Sequence, residues 1–219
     1  TASQAIAALS QGAAAGEASV SNAGTVITTG DQSSGVSAQS LGSSSAANVS
    51  LTNKADIVTE GTASNALVAR SVADQFALDT SDFFLFAGSG FAGNVLVDHV
   101  GDLIATGADS SAIYAQSSGI VNGNIDVVVQ ADSIVVGGSA GGAGVSLIDG
   151  AQNSLVNAGA ITAIGEKVGY VKGADGQLIA AGWVDGQAIQ GTTGNTHISN
   201  TVLIVGSVDL GAVAAASQM

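Results

Sequence analysis

Apolar residues recur along this chain in short alternating bursts that return at matched places. Taking Gly30, Gly61, Gly107, Gly138 and Gly165 as anchors, Val26, Ile57, Leu103, Ile134 and Ile161 stand four positions earlier. Val20, Leu51, Val97, Val128 and Leu155 stand ten earlier. Six later come Val36, Leu67, Ile113 and Val171, with Val145 reached in the fourth copy by a one-residue slip. The stretches "TVITTGDQSSGVSAQS" (25–40), "DIVTEGTASNALVARS" (56–71) and "DLIATGADSSAIYAQS" (102–117) share this layout, and "HISNTVLIVGSVDLG" (197–211) is a looser copy. Alternation and β-branched residues predict strands, and glycine with small polar residues predicts the turns between them.

A hydrophobic column repeated from copy to copy cannot be buried inside one copy. It is buried when each copy forms one coil whose strands lie parallel on those of the coil before. The pattern predicts an all-β chain folded as a parallel β-helix (β-solenoid) of about five to six irregular coils. An antiparallel sandwich also has short strands at regular spacing, but it requires neither matched columns nor a recurring glycine. The solenoid is assigned to 18–211, with an Ala-rich N-terminal cap or linker at 1–17, for which a capping helix and an open end that stacks on another copy are the alternatives, and a tail at 212–219.

Two stretches break the repeat. The first, an insertion at about 72–94, carries all five phenylalanines: Phe76, Phe83, Phe84, Phe86 and Phe91. Each buried aromatic removes about 150–250 Å² from water. The cluster is therefore read either as folding back over the flank of the solenoid, the favoured alternative, or as a contact surface for a partner. The second, 166–195, contains Tyr170, Lys172 and Trp183, and "YVKGADGQLIAAGWV" predicts a projecting loop or hairpin with Gly-rich turns. These eight aromatic and cationic residues are the candidate interaction surface.

The stretches "NAGTVITTGDQSSGVSAQSLG" (22–42), "LIATGADSSAIYAQSSG" (103–119) and "NAGAITAIG" (157–165) resemble the repeats in passenger regions of bacterial autotransporters and related large exported adhesins. The resemblance covers about 18–165 and is specific for the repeat class, not for an activity. It implies a right-handed parallel β-helix, export across two membranes, and a secreted or surface location on a Gram-negative cell. The C-terminal membrane barrel of a complete autotransporter is not in this chain. That leaves a released passenger, an excerpt and a stand-alone assembly protein as alternatives.

Composition narrows the partners. The formal charge is −13, with Lys and Arg numbering only 4. A phosphate backbone is neutralised by several clustered cations, so nucleic acid is excluded, and an anionic membrane surface is a poor partner for the same reason. The chain has no cysteine, which removes disulfides, thiolate metal sites and cysteine nucleophiles. Residues 1–16 lack the basic start and long apolar run of a signal peptide, and no stretch suits a transmembrane helix. The first residue is not Met, which suggests a processed protein or part of a longer one.

Enzymes built on a β-helix need particular side chains. Acidic-sugar lyases need carboxylates that hold Ca²⁺ and a basic residue, and hydrolases need two facing carboxylates. Arg70 shares a column with Gln39 and Gln116 and is read as a solvated rung. Asp98, His99 and Asp102 form the densest polar cluster, followed by Asp109, but His99 shares a column with Asn22, Asn53, Gln130 and Asn157 that reads as a polar ladder. No Gly-x-Ser-x-Gly elbow, Walker loop, EF-hand or calcium repeat occurs, and "GGSAGGAG" (137–144) reads as a rung turn. The expectation is a non-enzymatic structural or adhesive solenoid segment with no catalytic residue, metal or cofactor. Its partners would be further copies of itself or host and other cell-surface molecules. A self-assembling filament or surface-layer subunit and a carbohydrate-active enzyme are the alternatives.

Overall fold

The computed structural model describes residues 3–73, 90–164 and 186–211, together with the backbone of four short strands between 166 and 184. The described residues are all strand and turn. The first sheet holds β1 (Ser3–Ala14), β4 (Ser33–Ser45), β7 (Leu67–Ala73), β10 (Ile113–Ser118), β13 (Ala143–Asp149), β20 (Gln187–Gly191) and β23 (Ser207–Asp209), in that order. The second holds β2 (Ala18–Asn22), β5 (Val49–Asn53), β8 (Val95–His99), β11 (Ile125–Val129), β14 (Gln152–Asn157) and β21 (Asn195–Asn200). The third holds β3 (Val26–Thr28), β6 (Ile57–Thr59), β9 (Asp102–Ala105), β12 (Ile134–Gly137), β15 (Ala160–Ala163) and β22 (Leu203–Val205).

Neighbouring strands within these three sheets pair in parallel, as in β2 with β5, β6 with β9 and β10 with β13. The chain visits the second, third and first sheets in turn and then returns to the second. Parallel stacking follows from this circuit, and an antiparallel sandwich is ruled out. Inside, the second sheet contributes the column Val20–Leu51–Val97–Val127–Leu155–Ile198. The third contributes Val26–Ile57–Leu103–Val135–Ile161–Ile204, and the first Val36–Leu67–Ile113–Val145–Ile189, with exposed Val208 in register at the end of the stack. Leu51, Ile57, Leu67, Leu103, Ile113 and Leu155 are fully buried. Each such side chain stabilises the fold by roughly 1.5–3 kcal/mol.

Three sequence assignments shift. Val128 and Ile134 point outward, and Val127 and Val135 take their places in the core. Val127 and Val135 lie eight residues apart, where Val97 and Leu103 lie six apart, because Ala131 and Asp132 lengthen the intervening turn. Asp132 adopts φ 61 there. A one-residue slip moves a side chain from one face of a strand to the other, so the glycine anchor misplaced both positions. Val171 belongs to the second irregular stretch, and Ile189 fills its core column.

Of the alternatives for the Ala-rich start, the capping helix is not the one observed. Residues 3–14 form β1, which runs parallel to β4 with Ile6 opposite Val36 and Ala8 opposite Ala38. Alanine favours helix locally. Here the free edge of β4 offers a ten-residue ladder of backbone partners, and Ala8 packs against the core.

The conserved-looking turns of the three copies now have physical roles. In the Ala-Gln-Ser endings, Ala38, Ala69 and Ala115 are core residues. The following Ser40, Ser71 and Ser117 hydroxyls donate to Gly16 O, Ala47 O and Gly93 O at 2.8, 2.9 and 2.9 Å. The same hydroxyls accept from the backbone N–H groups of Ala47, Gly93 and Gly123. Each serine thereby ties its strand to the following turn. Gly30, Gly61 and Gly107 stack in space: a Cβ on Gly61, which has φ 120, would sit 2.6 Å from Gly30 O, and one on Gly107 would overlap Gly61 O. Only glycine fits that stack.

Candidate functional site

The column that contains His99 is a hydrogen-bonded ladder on the inner corner between the second and third sheets. Asn22 Nδ2 donates to Asn53 Oδ1 at 2.7 Å, and Asn53 Nδ2 donates to His99 Nδ1 at 3.0 Å. Each member also caps the turn that follows it. Asn22, Asn53 and His99 reach Gly24 O, Ala55 O and Gly101 O, two residues further on. Asn157 repeats the device, donating to Gly159 O at 3.0 Å and to Asn200 Oδ1 at 2.7 Å. Gln130 is not in this column. Val129 occupies the rung, buried, and interrupts the ladder, while Gln130 Nε2 donates to Asp98 Oδ1 on the outside at 2.7 Å. The extra residues of the 131–132 turn account for this displacement.

His99 is fully buried. Its Nδ1 accepts from Asn53, so Nε2 carries the proton and donates to Gly101 O at 2.9 Å. Desolvation lowers its pKa to about 4, outweighing the opposing effects of the Gly101 hydrogen bond and the Asp102, Asp98 and Asp56 carboxylates. The ring is neutral at pH 7, with both nitrogens engaged. Asp98 and His99 are adjacent strand residues and face opposite sides of the sheet. The polar cluster read from the sequence is therefore split. Asp102 N donates to Asp56 Oδ1 at 2.9 Å on the outside, and Asp109, with φ 56, accepts from Gly141 N at 3.1 Å. Among the described residues no group of three or more His, Asp or Glu is arranged to hold a metal ion.

Two shallow depressions lie on the second sheet. One, of about 420 Å³, is lined by Thr52, Lys54, Asp98 and Gln130 among others. The other, of about 310 Å³, contains Asp126, Ser154 and His197. These three residues stand on successive strands in register, Asp126 beside Ser154 and Ser154 beside His197. Their order is wrong for nucleophilic catalysis. The imidazole must stand between serine and carboxylate, whereas here serine stands in the middle. With strands about 4.8 Å apart, His197 and Asp126 are separated by roughly 9–10 Å.

Arg70 occupies the rung between Gln39 and Gln116 as expected, but it is half-buried and not simply solvated. Arg70 Nε donates to Gln116 Oε1 at 2.8 Å, Gln116 Nε2 donates to Ser118 Oγ at 2.8 Å, and Ser118 Oγ donates to Asp149 Oδ2. Beside this chain of bonds Val68, Tyr114 and Ile148 form a second buried cluster on the outward side of the first sheet. Burial pushes the Tyr114 hydroxyl pKa up. The first irregular stretch begins at the end of β7 in this sheet, and the second follows β15 of the third sheet and includes β20.

Of the candidate interaction residues, Phe76, Phe83, Phe84 and Phe86 lie outside the described residues. Phe91 is 66% exposed and bridges Ser45 and Val121 of adjacent coils, beside exposed Ile120. In the second stretch β16 (Glu166–Lys167) pairs antiparallel with β19 (Trp183–Val184), and β17 (Tyr170–Lys172) with β18 (Leu178–Ala180). Trp183 stands opposite Lys167 and Lys172 opposite Leu178.

No motif marks the outward positions of the third sheet, yet Ile27, Val58, Ile104, Val136, Thr162 and Val205 stack there in register. Each follows a core residue by one position. That offset was the available signal. No family model matches the chain, and no curated protein or solved structure matches it either.

Proposed function

We propose that the chain is a non-enzymatic, extracellular or cell-surface solenoid that acts as a spacer or adhesive segment, as the passenger-like repeats imply. In this reading the coils number five to six, wind right-handed and carry the two irregular stretches as decorations. The observation that carries the proposal is the use made of the polar side chains. His99, the strongest candidate for acid–base chemistry, is spent as a buried ladder rung. Ser40, Ser71 and Ser117 are spent on turns. Among the described residues, Asp126, Ser154 and His197 align in the wrong order for a relay.

The test has two arms. Beads that carry the chain are presented to immobilised extracellular glycans and matrix proteins, and the free chain is incubated with acidic and neutral polysaccharides, with and without Ca²⁺. Retention of beads without turnover is the expected outcome for an adhesive segment, and neither retention nor turnover for a spacer. Polysaccharide turnover that is lost on Asp98→Asn or Asp102→Asn would reverse the proposal in favour of an enzyme.

A further inference from the structure

The two ends of the described stack carry complementary strand edges. At one end the edges are β1, β2 and β3; at the other they are β21 and β22, with β23 lying on β20. Natural sheets blunt such edges with charge or proline, because unpaired backbone groups template another strand. β1, β2, β3, β21 and β22 contain no Asp, Glu, Lys, Arg or Pro. β1 alone presents an edge 12 residues long.

Hydrogen bonding gives the two ends a matching direction. In the corner ladder each asparagine donates to the rung that follows it in the chain, Asn22 to Asn53 and Asn157 to Asn200. Asn157 takes the Oδ1 of Asn200, so the Nδ2 of Asn200 is the next donor in the series. At the other end Asn22 Oδ1 accepts from Gly24 N at 3.1 Å and keeps a second lone pair. A second column runs the same way, with Asn48 Oδ1 accepting from Asn94 N and Asn94 Oδ1 from Asn124 N. Continuing the register past the last coil lays Asn200 beside Asn22, Ile198 beside Val20 and Ile204 beside Val26. The ladder and two core columns thus resume in a second copy, and no like charges meet on these strands.

One strand stands in the way. Each coil runs through the first, second and third sheets in turn. A copy that lays its β2 on β21 and its β3 on β22 therefore brings its β1 to the rung on β20 that β23 fills. β23 holds that rung weakly: its three residues are exposed and its register with β20 slips. It also carries Asp209, the one acidic residue on these edge strands. In the same place β1 sets Ile6 on Ile189 and Ala7 on Gln190. We propose that the solenoids stack head to tail, β1 of one copy displacing β23 of its neighbour, and that β23 is a competing cap. The contact is heterologous and does not close, so it propagates as a filament. The inference goes beyond the spacer or adhesive reading and rests on the end strands alone. The net charge of −13 opposes stacking, so salt strengthens it.

Two single-cysteine variants of the whole chain, Ala7→Cys and Gln190→Cys, are mixed at about 1 mM in about 0.5 M NaCl and mildly oxidised. The chain has no other cysteine, and stacked rungs lie within disulfide reach. The mixture should yield the dimer bridged from residue 7 to residue 190, and neither variant alone should yield comparable dimer. Sedimentation equilibrium of the cysteine-free chain from about 10 µM to 1 mM gives the association itself. Val36 N donates to Ala66 O, away from β1, so by register Ile6 N faces β4 and Ala7 N faces the open edge. Ala7→Pro should therefore keep the melting temperature while association weakens at least about tenfold. Ser207→Pro deletes the 3.1 Å bond from Ser207 N to Gly186 O that helps hold β23, and should strengthen association. A strict monomer throughout, cross-linking of either variant alone as readily as of the mixture, undiminished association of Ala7→Pro, or no gain from Ser207→Pro would each overturn the proposal.

Discussion

Acidification should loosen this fold through a single side chain. His99 in the folded chain binds a proton only near pH 4, whereas in the unfolded chain its pKa is 6.5. Between these values the unfolded state carries a proton that the folded state lacks. Stability is therefore complete above about pH 6.5, falls as the pH drops toward 4, and levels off below. Each pH unit in that window is worth about 1.4 kcal/mol, so lowering the pH from 7 to 4 should remove about 3 kcal/mol. With a urea slope of about 2–3 kcal/mol/M, the unfolding midpoint should fall by roughly 1–1.5 M. The control is His99→Asn, which can keep the ladder because asparagine already fills the rungs at Asn22 and Asn53. Its absolute stability will differ, since the buried ring is lost. The readout is the difference in pH dependence, in which the carboxylates common to both proteins cancel. Urea unfolding followed by far-ultraviolet circular dichroism at half-unit steps from pH 7.5 to 4 gives both curves. Parallel curves for the wild type and His99→Asn would refute the assignment of His99 as a desolvated, neutral rung.

The register can be checked on one strand. Leu103→Ala should cost about 2–5 kcal/mol, because Leu103 is fully buried. Ile104→Ala, one residue on and facing outward, should cost under about 1 kcal/mol, and equal losses would contradict the face assignment. In the glycine stack, Gly107→Ala drives a methyl group into the carbonyl of Gly61. It should destabilise by more than about 2 kcal/mol, whereas Gly12→Ala, whose added carbon meets nothing closer than 4.0 Å, should change the thermal midpoint little.

The solenoid was legible in the sequence because burial between coils forces the same residue class to recur. Leu51, Leu103 and Ile113 could be placed from spacing alone. Register failed where a turn changed length: the two extra residues at 131–132 shifted Val127 and Val135 by one position, in opposite directions from the glycine anchor. Spacing cannot report such an insertion when Val128 and Ile134 are equally apolar. The start of the chain misled for another reason. Alanine content speaks for helix, but the open edge of β4 is a tertiary partner that local propensity does not contain. The ladder was visible as a column of Asn and His, while its interruption at Val129 and the neutrality of His99 depend on which side of the strand each residue faces. The aliphatic stripe of the third sheet was hidden because exposed Ile and Val look like core residues until the core is assigned.

Engineered disulfides test directly whether successive coils lie parallel and in register. The native chain has no cysteine, so each introduced pair is read without interference. Ser50 and Leu96 are Cα partners on adjacent outward rungs although 46 residues apart, and Asp126 and Ser154 are another such pair. Neighbouring strands stand about 4.8 Å apart, within the range of roughly 4.4–6.8 Å that a disulfide spans. Ser50→Cys with Leu96→Cys, and Asp126→Cys with Ser154→Cys, should each oxidise to an intrachain bridge in the folded protein and raise its melting temperature. Ser50→Cys with Val97→Cys, displaced by one residue and directed to opposite faces, should remain reduced. Bridging of the displaced pair, or reduced thiols in both matched pairs, would contradict the stacked parallel solenoid.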